Sequence, residues 1–268
     1  MNLDLKGKTA VIVGGSKGIG YAAAKEFLLA GANVAICSRC EQELNQAQKM
    51  LSEHGLVFGQ VVDATRDEDV YSFAENVHKH FGTIDCWVNN VGASDRKKGD
   101  EYTDEEIGFV VRTCFASAVY GCQAAFRYMK HQGGAIVNVS SLAARCPSIG
   151  SSTLYGPMKA AIVNLTTTFA GEYAAYGVRV VSVLPGFTLT ESMRAGFKDE
   201  VLKQRLDRCL LRRAASPEEI AKPIVFLASP AASYITATSL EVSGGCNTTL
   251  NPDFSYEKVA ESIYSHEV

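Results

Sequence analysis

Three polar residues in the middle of the chain have side chains suited to proton transfer. Tyr155 and Lys159 are four residues apart in a helix-like stretch, so they share one helix face. A phenol has a pKa of about 10, and a neighbouring ammonium would favour the phenolate and lower that pKa. Ser141 follows a β-branched run and could hydrogen-bond the same substrate oxygen. We expect the three to form the catalytic site of a carbonyl/alcohol interconversion.

The Tyr-x-x-x-Lys spacing occurs a second time near the N-terminus. Tyr21 and Lys25 lie in the first helix-like stretch, beneath a glycine-rich loop, and no serine reaches them from a strand. Because spacing alone is a weak signal, the surroundings must distinguish the two pairs. We interpret Tyr21 and Lys25 as structural, and Tyr155 and Lys159 as catalytic.

The glycine-rich loop follows the first β-branched run and precedes a helix. Its residues are Gly14, Gly15, Ser16, Lys17, Gly18, Ile19 and Gly20. Glycines let the backbone approach a pyrophosphate, and the free N–H groups and dipole of the helix favour phosphate. Glycine also makes ordinary turns, but this position in a βαβ unit predicts a dinucleotide site.

The residues after the second β-branched run indicate which dinucleotide binds. An acidic residue there would bind the ribose hydroxyls of NAD and repel a 2′-phosphate. The chain instead has Ser38 and Arg39, with no carboxylate before Glu41. The planar guanidinium of Arg39 could pair with a 2′-phosphate, and Lys17 could add a second positive charge. Each could equally be a solvated surface cation, but their positions together favour NADP(H).

Composition and cysteine usage argue against several other classes of protein. Twenty-six basic and 29 acidic side chains give a net charge of −3, which argues against nucleic-acid binding. No apolar run approaches the about 18 residues of a membrane span. Eight cysteines without an export signal predict reduced thiols in the cytoplasm. Neither Cys37-x-x-Cys40 nor His78-Lys79-His80 has the accompanying ligands of a metal site, so none is predicted.

Alternating strands and helices must position these residues. Apolar, mostly β-branched runs predict strands at 9–13, 34–37, 57–62, 84–88, 135–139, 179–184 and 239–242. Amphipathic stretches between them predict helices at 20–29, 41–51, 65–80 and 158–175. This rhythm predicts an α/β fold, a Rossmann-like doubly wound sheet of about seven parallel strands with helices on both faces.

With these features in place, the chain resembles the short-chain dehydrogenase/reductase family, and more weakly its tropinone-reductase-like members. The matching motifs are Gly14/Gly18/Gly20, Asp63, Asn89-Asn90-Val91-Gly92, Ser141 with Tyr155 and Lys159, and Pro185-Gly186 through Thr190. The resemblance implies a single NADP-binding domain over residues 1–246, a substrate lid at about 189–211 and a C-terminal tail at 247–268. It also implies a homotetramer.

The resemblance further implies roles around the cofactor. Asp63 would contact adenine, Asn90 and Val91 would flank the adenosine ribose, and Lys159 would hold the nicotinamide ribose. The full set of expected cofactor residues is Gly14, Ser16, Lys17, Gly18, Ile19, Gly20, Ser38, Arg39, Asp63, Ala64, Asn90, Val91, Gly92, Tyr155, Lys159, Pro185, Gly186, Thr188 and Thr190.

One departure from the family pattern lies close to the expected site. Cys114 occupies the position of an asparagine that, in the family, anchors a water relaying protons to the lysine. A thiol is a poor substitute donor and acceptor. The departure puts the turnover rate in doubt, but not the existence of the site.

The sequence therefore predicts an NADP(H)-dependent oxidoreductase that interconverts a ketone and a secondary alcohol, with Tyr155 as acid/base. Two alternatives stay open: a non-catalytic NADP-binding sensor or partner subunit, and a non-redox biosynthetic enzyme on the same fold. We expect a small, apolar or cyclic substrate, because the residues expected to line its pocket are Ala93, Cys146, Ile149, Phe187, Met193, Phe197 and Leu202. No nucleic-acid or membrane partner is expected.

Overall fold

The sheet contains seven parallel strands in the order β3-β2-β1-β4-β5-β6-β7. The computed structural model describes residues 3–93, 99, 102–147, 152–191, 202–203 and 206–246. The strands are β1 Thr9–Val13, β2 Asn33–Ser38, β3 Val57–Val61, β4 Cys86–Asn89, β5 Gly134–Val139, β6 Val178–Pro185 and β7 Ser239–Val242. The predicted doubly wound parallel sheet is confirmed.

Seven α-helices lie entirely within the described residues. They are α1 Gly18–Leu29, α2 Glu41–Leu51, α3 Asp67–Phe81, α4 Asp104–Val111, α5 Ser117–Met129, α6 Tyr155–Tyr173 and α7 Pro217–Ala228. Helix α6 begins at Tyr155 rather than at residue 158, because a proline such as Pro157 is tolerated in the first turn of a helix. Tyr155 is therefore held by the first turn of a helix.

Two layers of helices bury both faces of the sheet. Ala10 and Ile12 of β1 pack with α1, α2 and α7, whereas Val11 and Val13 pack with α3, α5 and α6. All four side chains are buried. This two-sided burial explains why the strands appear in the sequence as continuous apolar runs instead of alternating ones.

A long continuous helix crosses the second layer. Helix α4, a π-helical turn at Arg112–Ala116 and α5 together span Asp104–Met129. By length and composition this is the one helix among the described residues that could cross a membrane, and half of its apolar window is buried in the fold. Cys122, Ala125 and Met129 lie in the core, which accounts for its apolar composition.

The order of the strands creates a crevice at one edge of the sheet. The chain leaves β1 towards β2 on one side, while β4 pairs with the other side of β1, where Val13 lies opposite Asn89. In doubly wound sheets, ligands bind at the carboxyl ends of the strands where the order reverses in this way. The glycine-rich loop and Asn90 both follow strands that end at this point.

Candidate active site

The glycine-rich loop is attached to both neighbouring strands. The N–H groups of Gly14 and Gly15 donate to the Cys37 carbonyl at the end of β2, each at 3.1 Å. Asn90, after β4, donates its side-chain amide to the Gly14 carbonyl at 2.9 Å. A Cβ atom on Gly20 would lie 2.0 Å from the Gly14 oxygen, so only glycine allows α1 to approach the loop this closely.

The start of α1 is suited to binding an anion. Its N-cap residue, Lys17, makes no side-chain capping hydrogen bond. The first N–H groups of a helix have no partner within the helix, and here no capping side chain serves them. These donors, together with the positive end of the helix dipole, favour a phosphate beside the loop.

A cleft of about 340 Å³ runs from the loop across the ends of β2, β3 and β4. The expected cofactor residues that line it are Gly14, Ser16, Lys17, Gly18, Ile19, Ser38, Arg39, Asp63, Ala64, Asn90, Val91, Gly92 and Thr190. Gly20 lies beneath the loop. The structure thus brings together residues from five separate segments of the sequence.

The cleft also contains residues that the sequence analysis did not assign. These are Val13, Cys37, Val62, Thr65, Thr113 and Glu191. All of these except Thr113 adjoin assigned residues in the chain and could have been found by proximity. Thr113 belongs to a distant helix, and only the packing of that helix places it there.

Three further expected cofactor residues, Pro185, Gly186 and Thr188, lie at or just beyond the end of β6. Pro185 ends the strand, and the Gly186 N–H donates to the Val242 carbonyl at 2.9 Å. Thr188 forms an isolated parallel bridge with Ala215. These residues are near the described start of the expected lid and do not line the 340 Å³ cleft.

The two cations at the cleft differ in their partners. Arg39 is exposed and makes no hydrogen bond or ion pair with the described residues. Lys17 instead donates to the Glu43 carboxylate at 2.9 Å. The second positive charge expected from Lys17 is therefore paired with a negative one.

Asp63 is held as a carboxylate at the cleft wall. Burial opposes its ionisation, but hydrogen bonds from the Thr65 N–H and hydroxyl, at 3.0 and 2.8 Å, together with the charges of Arg39 and Arg66, lower its pKa below the usual value. The side chain is thus a fixed acceptor at the end of β3.

Lys159 is enclosed at the junction of α6, β4 and β5. Its side chain is 3% exposed, and its ammonium donates to the Val139 carbonyl at 2.9 Å and the Val91 carbonyl at 3.4 Å. Burial lowers its pKa. The Ser140 hydroxyl donates to the Lys159 backbone carbonyl at 2.7 Å, which attaches α6 to the end of β5.

Tyr155 and Ser141 complete the expected catalytic set. Ser141 hydrogen-bonds the Tyr155 phenol, and its own Oγ accepts from the Ala143 N–H at 3.1 Å, which fixes the hydroxyl beyond β5. The Lys159 Nζ lies 5.7 Å from the centroid of the Tyr155 ring. The three side chains therefore meet in one place although they come from two different elements.

The expectation that Lys159 lowers the pKa of Tyr155 is wrong for this structure. Burial raises the pKa of Tyr155 to about 12, and the Ser141 hydrogen bond opposes this only in part. The Lys159 ammonium is directed to backbone carbonyls rather than to the phenolic oxygen. The phenol is consequently protonated at neutral pH, the form that can donate a proton.

Cys114 hydrogen-bonds the backbone of the loop after β4. It is 1% exposed; its thiol donates to the Ala93 carbonyl at 3.3 Å and accepts from the Ala93 N–H at 3.5 Å. The thiol thus contacts both polar groups of one residue, with the weak hydrogen bonds typical of sulfur.

Tyr21, the Cys37-x-x-Cys40 motif and His78 are further features that the sequence raised. Tyr21 packs beside the core in α1, and Cys37 is buried while Cys40 is exposed, both as free thiols. His78 stacks on Tyr128 with ring centroids 4.6 Å apart. Among the described residues no group of three His, Cys, Asp or Glu side chains could hold a metal ion.

Several predicted features lie outside the described residues. They are the central part of the lid, with Met193 and Phe197, the pocket residue Ile149 and the C-terminal tail at 247–268.

The residues of the cleft fit a dinucleotide. Gly20 allows the helix N-terminus to meet the loop closely, and a buried hydroxyl in the cleft wall, on Thr113, has no hydrogen-bond partner. Such a group is costly unless a bound molecule or water satisfies it. The loop would hold the phosphates, and Arg39 and Asp63 would border the adenosine end.

Comparisons with known proteins agree with this geometry. The family model described as enoyl-(acyl carrier protein) reductase matches residues 13–247. A tropinone reductase homologue of Arabidopsis thaliana is 37% identical over 258 residues, which cover 95% of each chain. The similarity therefore extends over nearly the whole chain.

Two solved structures show the same fold with ligands bound. A 7α-hydroxysteroid dehydrogenase complexed with NADH and 7-oxo glycochenodeoxycholic acid has a TM-score of 0.88 and 30% identity, covering 93% of this chain and 98% of that chain. L-sorbose reductase from Gluconobacter frateurii, complexed with NADPH and L-sorbose, has a TM-score of 0.86 and 31% identity, covering 93% and 100%. One of these similar proteins thus holds NADH and the other NADPH.

Proposed function

The chain belongs to the short-chain dehydrogenase/reductase family of oxidoreductases, and we propose that it interconverts a ketone and a secondary alcohol with NADP(H). One observation carries this proposal. The Tyr155 phenol is hydrogen-bonded by Ser141 next to a buried Lys159, and the Val91 carbonyl that binds Lys159 belongs to a residue lining the nucleotide cleft. A proton donor therefore lies beside a dinucleotide site.

The proposed mechanism follows from the protonation states of these side chains. When bound, the nicotinamide supplies a hydride to the substrate carbon or accepts one from it. In the reductive direction the neutral Tyr155 phenol donates its proton to the carbonyl oxygen, which Ser141 orients. Lys159 has three N–H donors, and the two backbone carbonyls leave one for a hydroxyl group of the ligand.

The preference for NADP(H) over NAD(H) rests on Arg39. It is the cation at the end of β2 without an ion-pair partner among the described residues, so its guanidinium is available for a 2′-phosphate. Arg39→Asp should reverse the preference, changing the ratio of the two dissociation constants by about 10–100-fold, the range of a hydrogen bond to a charged group. Lys17→Ala is the matched control and should change that ratio less than threefold, because Glu43 already neutralises Lys17. Equal affinities of the unmodified protein for NADPH and NADH would contradict the proposal.

We propose an apolar or cyclic ketone as the substrate. Cys146 is half-buried against Leu142, Cys209 and Cys246, so an apolar cluster lies just beyond Ser141. The relatives are named as tropinone reductase homologues, and one similar structure holds a 7-oxo bile acid. A panel of cyclic and open-chain ketones assayed with NADPH by absorbance at 340 nm tests the reaction and its substrate class together.

A non-catalytic NADP-binding protein is the second candidate, and Cys114 is the observation that favours it. In that case NADPH would bind, but no ketone of the panel would be reduced. A non-redox enzyme on the same fold would convert a substrate without any change at 340 nm.

We further propose a homotetramer in the cytoplasm. Exposed apolar side chains on or beside the helices and the last strand, including Phe109, Tyr176 and Leu240, could form contacts between copies. The eight cysteines, all of which lie within the described residues, form no disulfide, which is typical of a reducing compartment. Light scattering that shows a monomer at micromolar concentration would contradict the tetramer.

A further inference from the structure

Thr113 combines three features that rarely occur together. Its side chain is 3% exposed, it lines the nucleotide cleft, and its hydroxyl makes no hydrogen bond with the described residues. A buried hydroxyl that lost its water without gaining a partner is unfavourable. Because nearly all buried polar groups in native proteins are satisfied, this one indicates a partner that binds in the cleft.

Four other helical hydroxyls among the described residues find their partner within the helix. Thr166, Thr167, Thr168 and Ser117 each donate to the carbonyl four residues earlier, at 2.8, 3.4, 3.2 and 2.7 Å respectively. Thr113 does not donate to Phe109 in this way; that carbonyl accepts from the Arg112 N–H. The Thr113 hydroxyl is therefore exceptional among comparable groups of the same molecule.

The π-helical turn at Arg112–Ala116 explains the exception. In an α-helix the Ser117 N–H would donate to the Thr113 carbonyl, but here it donates to the Arg112 carbonyl. The Ser117 hydroxyl satisfies the Thr113 carbonyl instead, at 2.7 Å. The backbone is thus satisfied through the wide turn, while the hydroxyl of Thr113, a residue that lines the cleft, is left without a partner among the described residues. Single π turns of this kind are frequent at functional sites.

We propose that Thr113 is a binding residue for the adenosine half of the dinucleotide, with its hydroxyl bonded to the ribose–phosphate portion. The proposal rests on the proposed function only in requiring that a dinucleotide binds. The adenosine half is assigned because Thr113 shares its cleft with Asp63, Ala64 and the glycine-rich loop, whereas Ser141, Tyr155 and Lys159 do not line it.

The test compares two ways of changing Thr113 with a control elsewhere. Thr113→Val removes the hydroxyl and keeps the shape, and Thr113→Ser keeps the hydroxyl. Thr9 is the control, because it carries a second buried hydroxyl with no partner among the described residues and lies at the opposite end of β1 from the loop. Calorimetry gives the dissociation constants of NADPH and of the fragment 2′,5′-ADP, and thermal denaturation gives the Tm of the ligand-free proteins.

We expect Thr113→Val to weaken the binding of both NADPH and 2′,5′-ADP by about three- to tenfold, the range of one net hydrogen bond. Its ligand-free Tm should stay equal or rise, because an unsatisfied group has been removed. Thr113→Ser should bind like the unmodified protein. Thr9→Val should leave both dissociation constants unchanged.

Three results would overturn the proposal. Unchanged binding by Thr113→Val would show that water alone satisfies the hydroxyl. A lower ligand-free Tm of Thr113→Val would show a structural role, and weaker binding of NADPH without weaker binding of 2′,5′-ADP would exclude the adenosine half. If the unmodified protein bound neither NADPH nor NADH, the proposed function itself would fail, which is a separate and recognisable outcome.

Discussion

The two Tyr-x-x-x-Lys pairs of this protein have the same spacing near the start of a helix and very different surroundings. In α6 the Lys159 ammonium is buried and bonded to two backbone carbonyls, and Ser141 bonds the Tyr155 phenol. In α1 the side chain of Lys25 is partly exposed, whereas the two tyrosines are both half-buried. Carboxylates lie near Tyr21 and Lys25: burial and then the charge of Glu53 raise the Tyr21 pKa, and the pKa of Glu218 is lowered mainly by its hydrogen bond with Ser216 and to a smaller extent by the charge of Lys25.

The difference indicates which surroundings the proposed catalytic pair has and the second pair lacks. A carboxylate neutralises a lysine, whereas a carbonyl oxygen orients the ammonium and leaves its charge intact. Burial also raises the pKa of Tyr155, which keeps the phenol protonated at neutral pH. We infer that catalytic competence depends on these neighbours rather than on the spacing itself.

Replacing each tyrosine by phenylalanine is the strongest test of this comparison. Tyr155→Phe should lower kcat by about 10²–10⁴-fold, the usual contribution of a general acid. Tyr21→Phe should leave kcat within about twofold, because its phenol has no role in the site. Steady-state rates, with NADPH affinity and Tm as controls for folding, check both variants. Full turnover by Tyr155→Phe would overturn the assigned mechanism.

The pH dependence of the rates of alcohol oxidation and of ketone reduction sharpens the comparison further. In the proposed mechanism alcohol oxidation requires the Tyr155 phenolate as base, and burial raises the pKa of Tyr155 to about 12. Between pH 7 and 9 the fraction of phenolate therefore rises about tenfold per pH unit, and the oxidation rate at saturating substrate should rise with it. Ketone reduction uses the protonated phenol and should be nearly independent of pH over this range. Tyr21→Phe should retain both profiles, and an oxidation rate that levels off below pH 8 would contradict the raised pKa.

Displacing the lysine without removing it tests whether its position matters. A Cβ atom on Gly92 would lie 2.9 Å from the Lys159 Nζ. Gly92→Ala should therefore push the ammonium away from the Val139 carbonyl and lower kcat by up to about 100-fold, the effect of an ångström-scale misplacement. Gly171→Ala is the matched control in α6, because open space surrounds that position. It should retain kcat and gain about 0.5–1 kcal/mol of stability from helix propensity. Equal kcat values for the two variants would show that the lysine position is unimportant.

Cys114 belongs to the surroundings of the α6 pair and gives the smallest expected effect. Cys114→Asn provides a stronger donor and acceptor for the Ala93 carbonyl and N–H that the thiol now contacts. We expect kcat to rise a few-fold with unchanged NADPH affinity, and Cys114→Ala to lower kcat. A lower Tm of Cys114→Asn without a gain in rate would show instead that the thiol fills an apolar packing site.

Much of the fold could be predicted because the relevant signals are local. Each predicted strand agrees with the observed one to within two residues at either end, and α2 agrees at both ends. The glycine-rich loop could be assigned as well, since its position between a strand and a helix is visible in the order of residues. The start of α6 was less predictable, because a proline near a helix start is compatible with two different boundaries.

The candidate site depends on contacts between distant residues, which spacing does not reveal. The pairing of Lys17 with Glu43 joins residues 26 positions apart, and the bond from Lys159 to Val91 joins residues 68 positions apart. The π turn that leaves the Thr113 hydroxyl without a partner is an adjustment of hydrogen bonding, with no distinctive residue type to mark it.

The sequence by itself determined the alternation of strands and helices, the glycine-rich loop and the residue types available for proton transfer. These are properties of hydrophobic periodicity and backbone freedom, which act over a few neighbouring residues. Only the tertiary structure decided which of the two Tyr-x-x-x-Lys pairs is buried against backbone carbonyls, which cation of the cleft is neutralised, and in which direction the pKa of Tyr155 shifts. Burial and electrostatic interactions act through space between chain segments that are far apart in sequence, and folding alone brings those segments together.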